Sequence, residues 1–355
     1  MNSNIGLKDF MTPAWALIIV GLIVGGSVGL YEMFFSHVFA TTQAVTLTTP
    51  LIIYIAMALA STGISLLLAY GLLTGKSWIV ANTRYLLILD IAVLMGGFTA
   101  LATELGSILN LVWTFLSPNP ASPIWWMSIF YTIKLAILFV KLVLDVLDIH
   151  GSFDKPLAAL TLVVSAAAAM TIGAVFGTVI ARPDYQGTFA SVLLVLLAPT
   201  AGTALLVVMN RGRELVAAVL PVFRQLAVLA AVLLLVQWIY ESRSTVEGLL
   251  GWVNPLMLVV FALAAVLGGM VPRIAGLLGL VGIYWVCHGF IITGQLSILG
   301  PQQVWYGEVT SFTPNAAEVA IIVLGLSVAG ALYLLGRTFL LARESAPDRA
   351  VAASA

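Results

Sequence analysis

The sequence predicts an all-α polytopic membrane protein of about ten transmembrane helices, a single integral domain over residues 1–355 with both termini cytoplasmic. Three observations carry that reading. Apolar residues make up 61% of the chain and charged residues only 8%, where a soluble domain carries about 25%. Segments of about 20 apolar residues, enough to cross hydrocarbon, recur along the whole length. Lys and Arg cluster in alternate connections, which fixes a handedness across the bilayer.

The expected spans lie near 13–35, 50–73, 85–109, 123–147, 157–180, 187–209, 215–239, 255–271, 274–294 and 316–341. The first runs from Trp15 to Phe35, too long for a signal-peptide core and without a convincing cleavage site. The eighth is short, and "GGMVPRIAG" turns it tightly into the ninth. Gly21, Gly25 and Gly29 recur every fourth residue, as do Gly173 and Gly177, a spacing that lets helix backbones approach closely. With a cytoplasmic N-terminus, the inner loops and ends carry Lys8, Lys76, Arg84, Lys155, Arg211, Arg213, Arg273, Arg337, Arg343 and Arg349. The outer loops carry only Arg182 and Arg243.

Several chemistries are excluded or disfavoured. A net charge of zero gives no sign of a nucleic-acid partner. The single cysteine, Cys287, can neither close a disulfide within the chain nor hold an iron–sulfur cluster. His37, His150 and His288 are too few for the four axial ligands of a di-haem cytochrome b, and they fall in three different regions. No Walker, Rossmann, GxSxG or HExxH pattern occurs. What remains is polar groups inside a bundle.

Those groups form two layers. Near the outer face lie Glu32, His37, Glu104, Trp125, Trp126, His288, Gln295 and Glu318. At mid-depth or deeper lie Asp90, Lys134, Lys141 and Asp145. At about 1.5 Å per residue, Lys134 sits roughly 15 Å into its span, beyond the reach of either interface. Lys141 follows two turns later on the same face, and Asp145 one turn after that. Asp90, on the preceding antiparallel span, is expected at the depth of Lys141 and as its ion-pair partner. The alternative for Lys141 is that it snorkels to the inner interface. Trp125 and Trp126 fit either a binding pocket or an interfacial aromatic belt. The three outer carboxylates could simply face water at helix ends, and Glu318 suits a helix N-terminus in any case.

The stretches "TELGSILNLVWTFLSPNPASPIWWMSIFYT", "HGFIITGQ" and "FTPNAAEVAIIVLGLSVAGALYLLGR" resemble signature segments of the NrfD/PsrC family, membrane subunits of polysulfide-reductase-type complexes. The chain departs from that pattern at His288, where the family often has Arg. The resemblance implies two four-helix bundles plus two extra helices, without haem or an iron–sulfur cluster in this chain. It implies a multi-pass subunit of the prokaryotic cytoplasmic membrane that exchanges electrons between a quinone pool, menaquinone-type, and an extracytoplasmic ferredoxin-like [4Fe–4S] subunit. A molybdopterin or other redox subunit would lie beyond that partner, and whether this chain is itself catalytic stays open. The quinone head group is expected at the outer end of spans one to four. Trp125, Trp126, Tyr131 and Glu104 would bind it, and Glu104, Glu32 and His37 would exchange protons. His288 and Glu318 are secondary candidates. Asp90, Lys134, Lys141 and Asp145 would form an inner proton route. Two other classes compete: a secondary transporter with a midplane Lys134/Asp90 site, and a structural anchor with no quinone site.

Overall fold

A computed structural model describes residues 12–42, 45–105, 110–149, 151, 153–179, 185, 187–209, 211–241, 253–296 and 312–341. The helices are α1 Pro13–Phe34, α2 Thr49–Thr74, α3 Ser77–Val80, α4 Thr83–Glu104, α5 Asn110–Leu116 and α6 Pro123–Val146. They continue with α7 Asp154–Gly177, α8 Gly187–Met209, α9 Arg213–Glu241, α10 Val253–Leu267, α11 Pro272–Leu296 and α12 Ala316–Gly336. A π-turn, Arg337–Leu341, extends α12.

Local chemistry marks the ends. Pro13, Pro50 and Pro123 stand in the first turns of α1, α2 and α6, where a missing N–H costs nothing. Gly75 stops α2 in the left-handed conformation, φ 68°. Asn315 caps α12 by accepting the Glu318 N–H at 3.0 Å.

Nine helices among the described residues are long and apolar enough to cross a membrane, which makes the chain an all-α polytopic membrane protein. The expected eighth span is α10, a helix of 15 residues, about 22 Å long and short of the roughly 30 Å hydrocarbon thickness. Arg224, midway along α9 and absent from the ionisable residues singled out in the sequence, packs against its end. The guanidinium donates to the Ala265 carbonyl at 2.8 Å and packs on Gly268, so a cation sits at the carbonyl end of α10. Two further helices, α3 and α5, fall in connections the hydrophobic pattern reads as loops. His150, Arg182, Arg243, Lys8, Arg343 and Arg349 lie outside the described residues.

The helices pack as two rings. In one, α2 touches α4, α4 touches α6, α6 touches α7, and α7 returns to α2. In the other, α8, α9, α10 and α11 close the same way. Helices α2 and α7 join the rings, both packing on α8 and α2 also on α11, while α1 and α12 pair with each other outside them, α12 resting on α4. The first ring therefore comprises spans two to five rather than one to four. Span one is excluded because, among the described residues, its only extensive partner is α12: 17% of the core window of α1 is buried, against 83% for α2.

Glycines set the close crossings, since no hydrophobic effect draws helices together in lipid and packing must serve instead. A Cβ on Gly25 would lie 2.6 Å from the Leu324 Cβ, so the Gly21/Gly25/Gly29 stripe seats α1 on α12. Gly63 of α2 meets Gly202 and the Ala198 carbonyl of α8, where the two rings touch backbone to backbone. Gly63→Val is expected to force these apart and lower stability by about 1–3 kcal/mol. A detergent-solubilised variant should melt several degrees below the parent, whereas Gly26→Val, with open space around it, should not.

Candidate functional site

Helices α2, α4 and α6 bring one polar cluster together at the middle of the first ring. Lys134 of α6 points its Nζ to the Asp90 Oδ1 of α4 at 3.4 Å and donates to the Ser61 Oγ of α2 at 2.6 Å. Ser61 and Ser65, one turn apart on α2, donate to the two Asp90 oxygens. Ser61 is thus a relay, accepting from the ammonium and donating to the carboxylate. Asp90, Ser61 and Ser65 are 0% exposed and Lys134 is 1% exposed. Tyr131, one turn from Lys134, directs its hydroxyl to Thr62 at 3.4 Å, and the Lys134 ammonium lies 5.8 Å from its ring centroid. Tyr54 and Phe98 pack edge-on to that ring.

The partner of Asp90 is therefore Lys134, not Lys141. Depth alone does not decide it, since Asp90 lies about one turn from each lysine, and the Ser61 bridge selects Lys134. Counted from the acidic end, Lys134 is about 16 Å down α6, Ser61 about 18 Å down α2 and Asp90 about 21 Å down α4. The lysine arm and the serine bridge span the difference. Asp145 is also not part of that cluster. It accepts from the Arg84 Nε at 2.6 Å, its own carbonyl takes a second Arg84 donor at 2.6 Å, and Asp148 lies 3.6 Å from the same guanidinium. Lys141, between these two sets, is buried, and its Nζ has no hydrogen-bond partner among the described residues. Asp154 and Asp90 are the acids whose charges act on it.

The acidic layer has a different organisation. Residues 35–42 and 45–48, between α1 and α2, form a strap across one end of the bundle, and the carboxylates hold it down. Glu32 accepts the Val38 N–H at 2.6 Å and meets the His37 Nδ1 at 2.6 Å, while the His37 Nε2 meets the Thr41 hydroxyl at 2.6 Å. Glu318 accepts the Ala40 N–H at 2.6 Å and the Thr49 hydroxyl at 2.7 Å. Glu104 accepts the Thr48 N–H at 2.5 Å and the Thr48 hydroxyl at 2.8 Å. The Gln295 amide accepts from Thr46 and Leu47 and donates back to the Leu47 carbonyl at 2.8 Å. Asn315 donates to the Val38 carbonyl at 2.6 Å. These groups answer the backbone donors and acceptors that a non-helical segment would leave unpaired at the edge of a membrane.

The aromatic candidates separate. Trp126 donates to the Pro120 carbonyl at 2.8 Å and stacks on Phe130. Trp125 stands edge-on to Trp126, and its indole N–H is buried without a partner among the described residues. Tyr131 belongs to the deeper Lys134 cluster rather than to the tryptophans. His288 is buried among Trp285, Tyr284 and Phe312 in the second ring. The serines that complete the ion pair went unread in the sequence. Their signal was "STGIS", a polar stripe on an otherwise apolar span.

The fold and the buried pair define a class, a multi-pass helical membrane protein with an ionisable cluster at its centre. Compared with known proteins, the chain matches no family model, and no curated protein is similar enough to rank as a relative.

Two outcomes follow from this geometry. Lys134→Met alone leaves a buried, uncompensated carboxylate and should cost about 3–5 kcal/mol. Adding Asp90→Leu should recover most of that loss, read as thermal midpoints of the single and double variants in one detergent. Glu318→Ala frees the Ala40 N–H and the Thr49 hydroxyl, a loss of about 1–3 kcal/mol. Limited proteolysis should then cut within residues 35–48 faster than in the parent.

Proposed function

We propose that the chain is a haem-free, quinone-interacting membrane subunit of a prokaryotic redox complex, and that the Lys134–Asp90 pair is the proton-transfer element of its first ring. The observation that carries this reading is the Lys134–Ser61–Asp90–Ser65 cluster, sealed at mid-depth. Ionisable groups kept inside a span at such cost belong by default to a functional path. Two rings of four helices with a flanking pair are also the arrangement that the NrfD/PsrC resemblance implies. In this reading the end rich in Lys76, Arg84, Arg211, Arg213, Arg273 and Arg337 faces the cytoplasm. The strap and its acids then face outside, toward an iron–sulfur partner.

A quinol supplies two electrons and two protons. The chain's own residues would hold it and handle the protons. The unpartnered Trp125 indole N–H offers a donor for a ring oxygen, and Trp126 offers an aromatic face. Protonation of Glu104 weakens its hold on the Thr48 N–H and hydroxyl, so proton exchange there is tied to the strap. At mid-depth, a proton on Asp90 weakens its attraction for Lys134, and Ser61 lies between them to pass the proton. Lys141, still unpaired, is the next basic group toward the cytoplasm.

The Lys134–Asp90 pair also suits a second reading, a secondary transporter with a midplane site. Its groups are satisfied by one another, however, where a substrate site would need donors and acceptors to spare. Tagged chain drawn from its native membrane should bring down an iron–sulfur protein and extractable quinone. Lys134→Gln in that complex should keep assembly while turnover linked to proton uptake falls about a hundredfold or more. Isolation without any redox partner, together with solute uptake by the reconstituted chain, would overturn the redox reading. Unchanged turnover in Lys134→Gln would remove the pair from the mechanism.

A further inference from the structure

Between α2 and α4 on one side and α8, α11 and α12 on the other runs a cleft of about 280 Å³. Its walls include Met57, Val93, Leu205, Ile283 and Leu326. Leu326 is 54% exposed, so the cleft opens sideways into hydrocarbon, and an apolar space of this kind does not fill with water. Met209 and Tyr333 also line it, and they carry it to the basic end of the bundle.

The mouth there is built differently from the walls. The Arg211 guanidinium, two residues beyond Met209, lies over the Tyr85 ring, 4.6 Å from its centroid. The Tyr85 ring stands edge-on to Tyr333 at 6.1 Å. Arg337 is one turn past Tyr333, and its charge and that of Arg211 both act on Tyr333. Among the described residues neither arginine has a carboxylate partner. Tyr85 is 1% exposed, so its ring serves as a buried platform under the Arg211 guanidinium. Two exposed guanidiniums at the end of a hydrocarbon-lined cleft are the complement of a phosphate anion that carries an acyl chain.

We propose that this cleft binds one anionic glycerophospholipid of the surrounding bilayer, with an acyl chain along the cleft and the phosphate between Arg211 and Arg337. The site is separate from the Lys134–Asp90 cluster and does not rest on the quinone reading. Basic residues at a helix end draw anionic head groups to a pocket between helices, and here the apolar walls add the selectivity for a lipid over a soluble phosphate.

The test uses the full chain in nanodiscs of mixed phosphatidylglycerol and phosphatidylcholine, released into the gas phase for native mass spectrometry. The wild type should retain one phosphatidylglycerol in preference to phosphatidylcholine. Arg211→Gln/Arg337→Gln should reduce that preference at least about tenfold, with an unchanged thermal midpoint. Leu326→Trp, which fills the cleft and leaves both arginines, should abolish retention. Inorganic phosphate should not displace the lipid. Equal retention of the two lipids by the wild type would overturn the proposal without any variant. So would an unaltered preference in the arginine variant, full retention in Leu326→Trp, or displacement by phosphate.

Discussion

An ammonium and a carboxylate face each other at the middle of a hydrocarbon-embedded ring, and three helices are committed to keeping them there. Either charge alone would be expensive in such surroundings, and the pair offsets that expense only if its remaining donors and acceptors are met. Ser61 and Ser65 meet them from α2. The register of α2 against α4 and of α4 against α6 is thereby fixed to within a side chain's reach, because a slip of one turn would part the lysine from both its partners. The Gly63–Gly202 contact then sets the second ring against that frame. Apolar packing alone would hold these helices less specifically, since lipid tails compete equally for every Leu and Val.

The acidic end obeys a related constraint with different means. A segment that leaves helical geometry at the rim of a membrane must find partners for its N–H and C=O groups. Three carboxylates, one amide and one capping asparagine supply them, drawn from α1, α4, α11 and α12. The carboxylates read in the sequence as proton-exchange candidates each accept a backbone N–H of the strap. Both roles can coexist, because each oxygen that accepts one strap donor keeps a second lone pair. The consequence is a coupling: protonating Glu104 or Glu318 removes its charge and weakens the bonds that hold the strap.

The helices were legible because hydrocarbon imposes one pattern on the chain, and the starts of α1, α6, α8 and α12 fall at the expected residues. The short helices α3 and α5 were not, since neither is long enough to register as a period. Within the site, the candidate residues were found because charges stand out against an apolar background. Their pairing was not, since it depends on relative helix depth at the level of a single turn, which lysine length blurs. Arg84 was read as a loop cation and turns out to hold Asp145. Ser61 and Ser65 were invisible for a simpler reason: a hydroxyl in a span is ordinarily satisfied by its own backbone, and only the neighbouring Asp90 gives these two another use.

The central claim is that Asp90 changes protonation as the protein works, with Lys134 as its counterpart. Infrared difference spectroscopy between the oxidised and quinol-reduced states of the assembled complex reads this directly. A carboxyl carbonyl-stretch band should arise on changing state, vanish in Asp90→Asn and move in Lys134→Gln. A difference spectrum in the carboxyl region that is identical in the parent and in Asp90→Asn would contradict the account, and would leave the pair as a purely structural clamp.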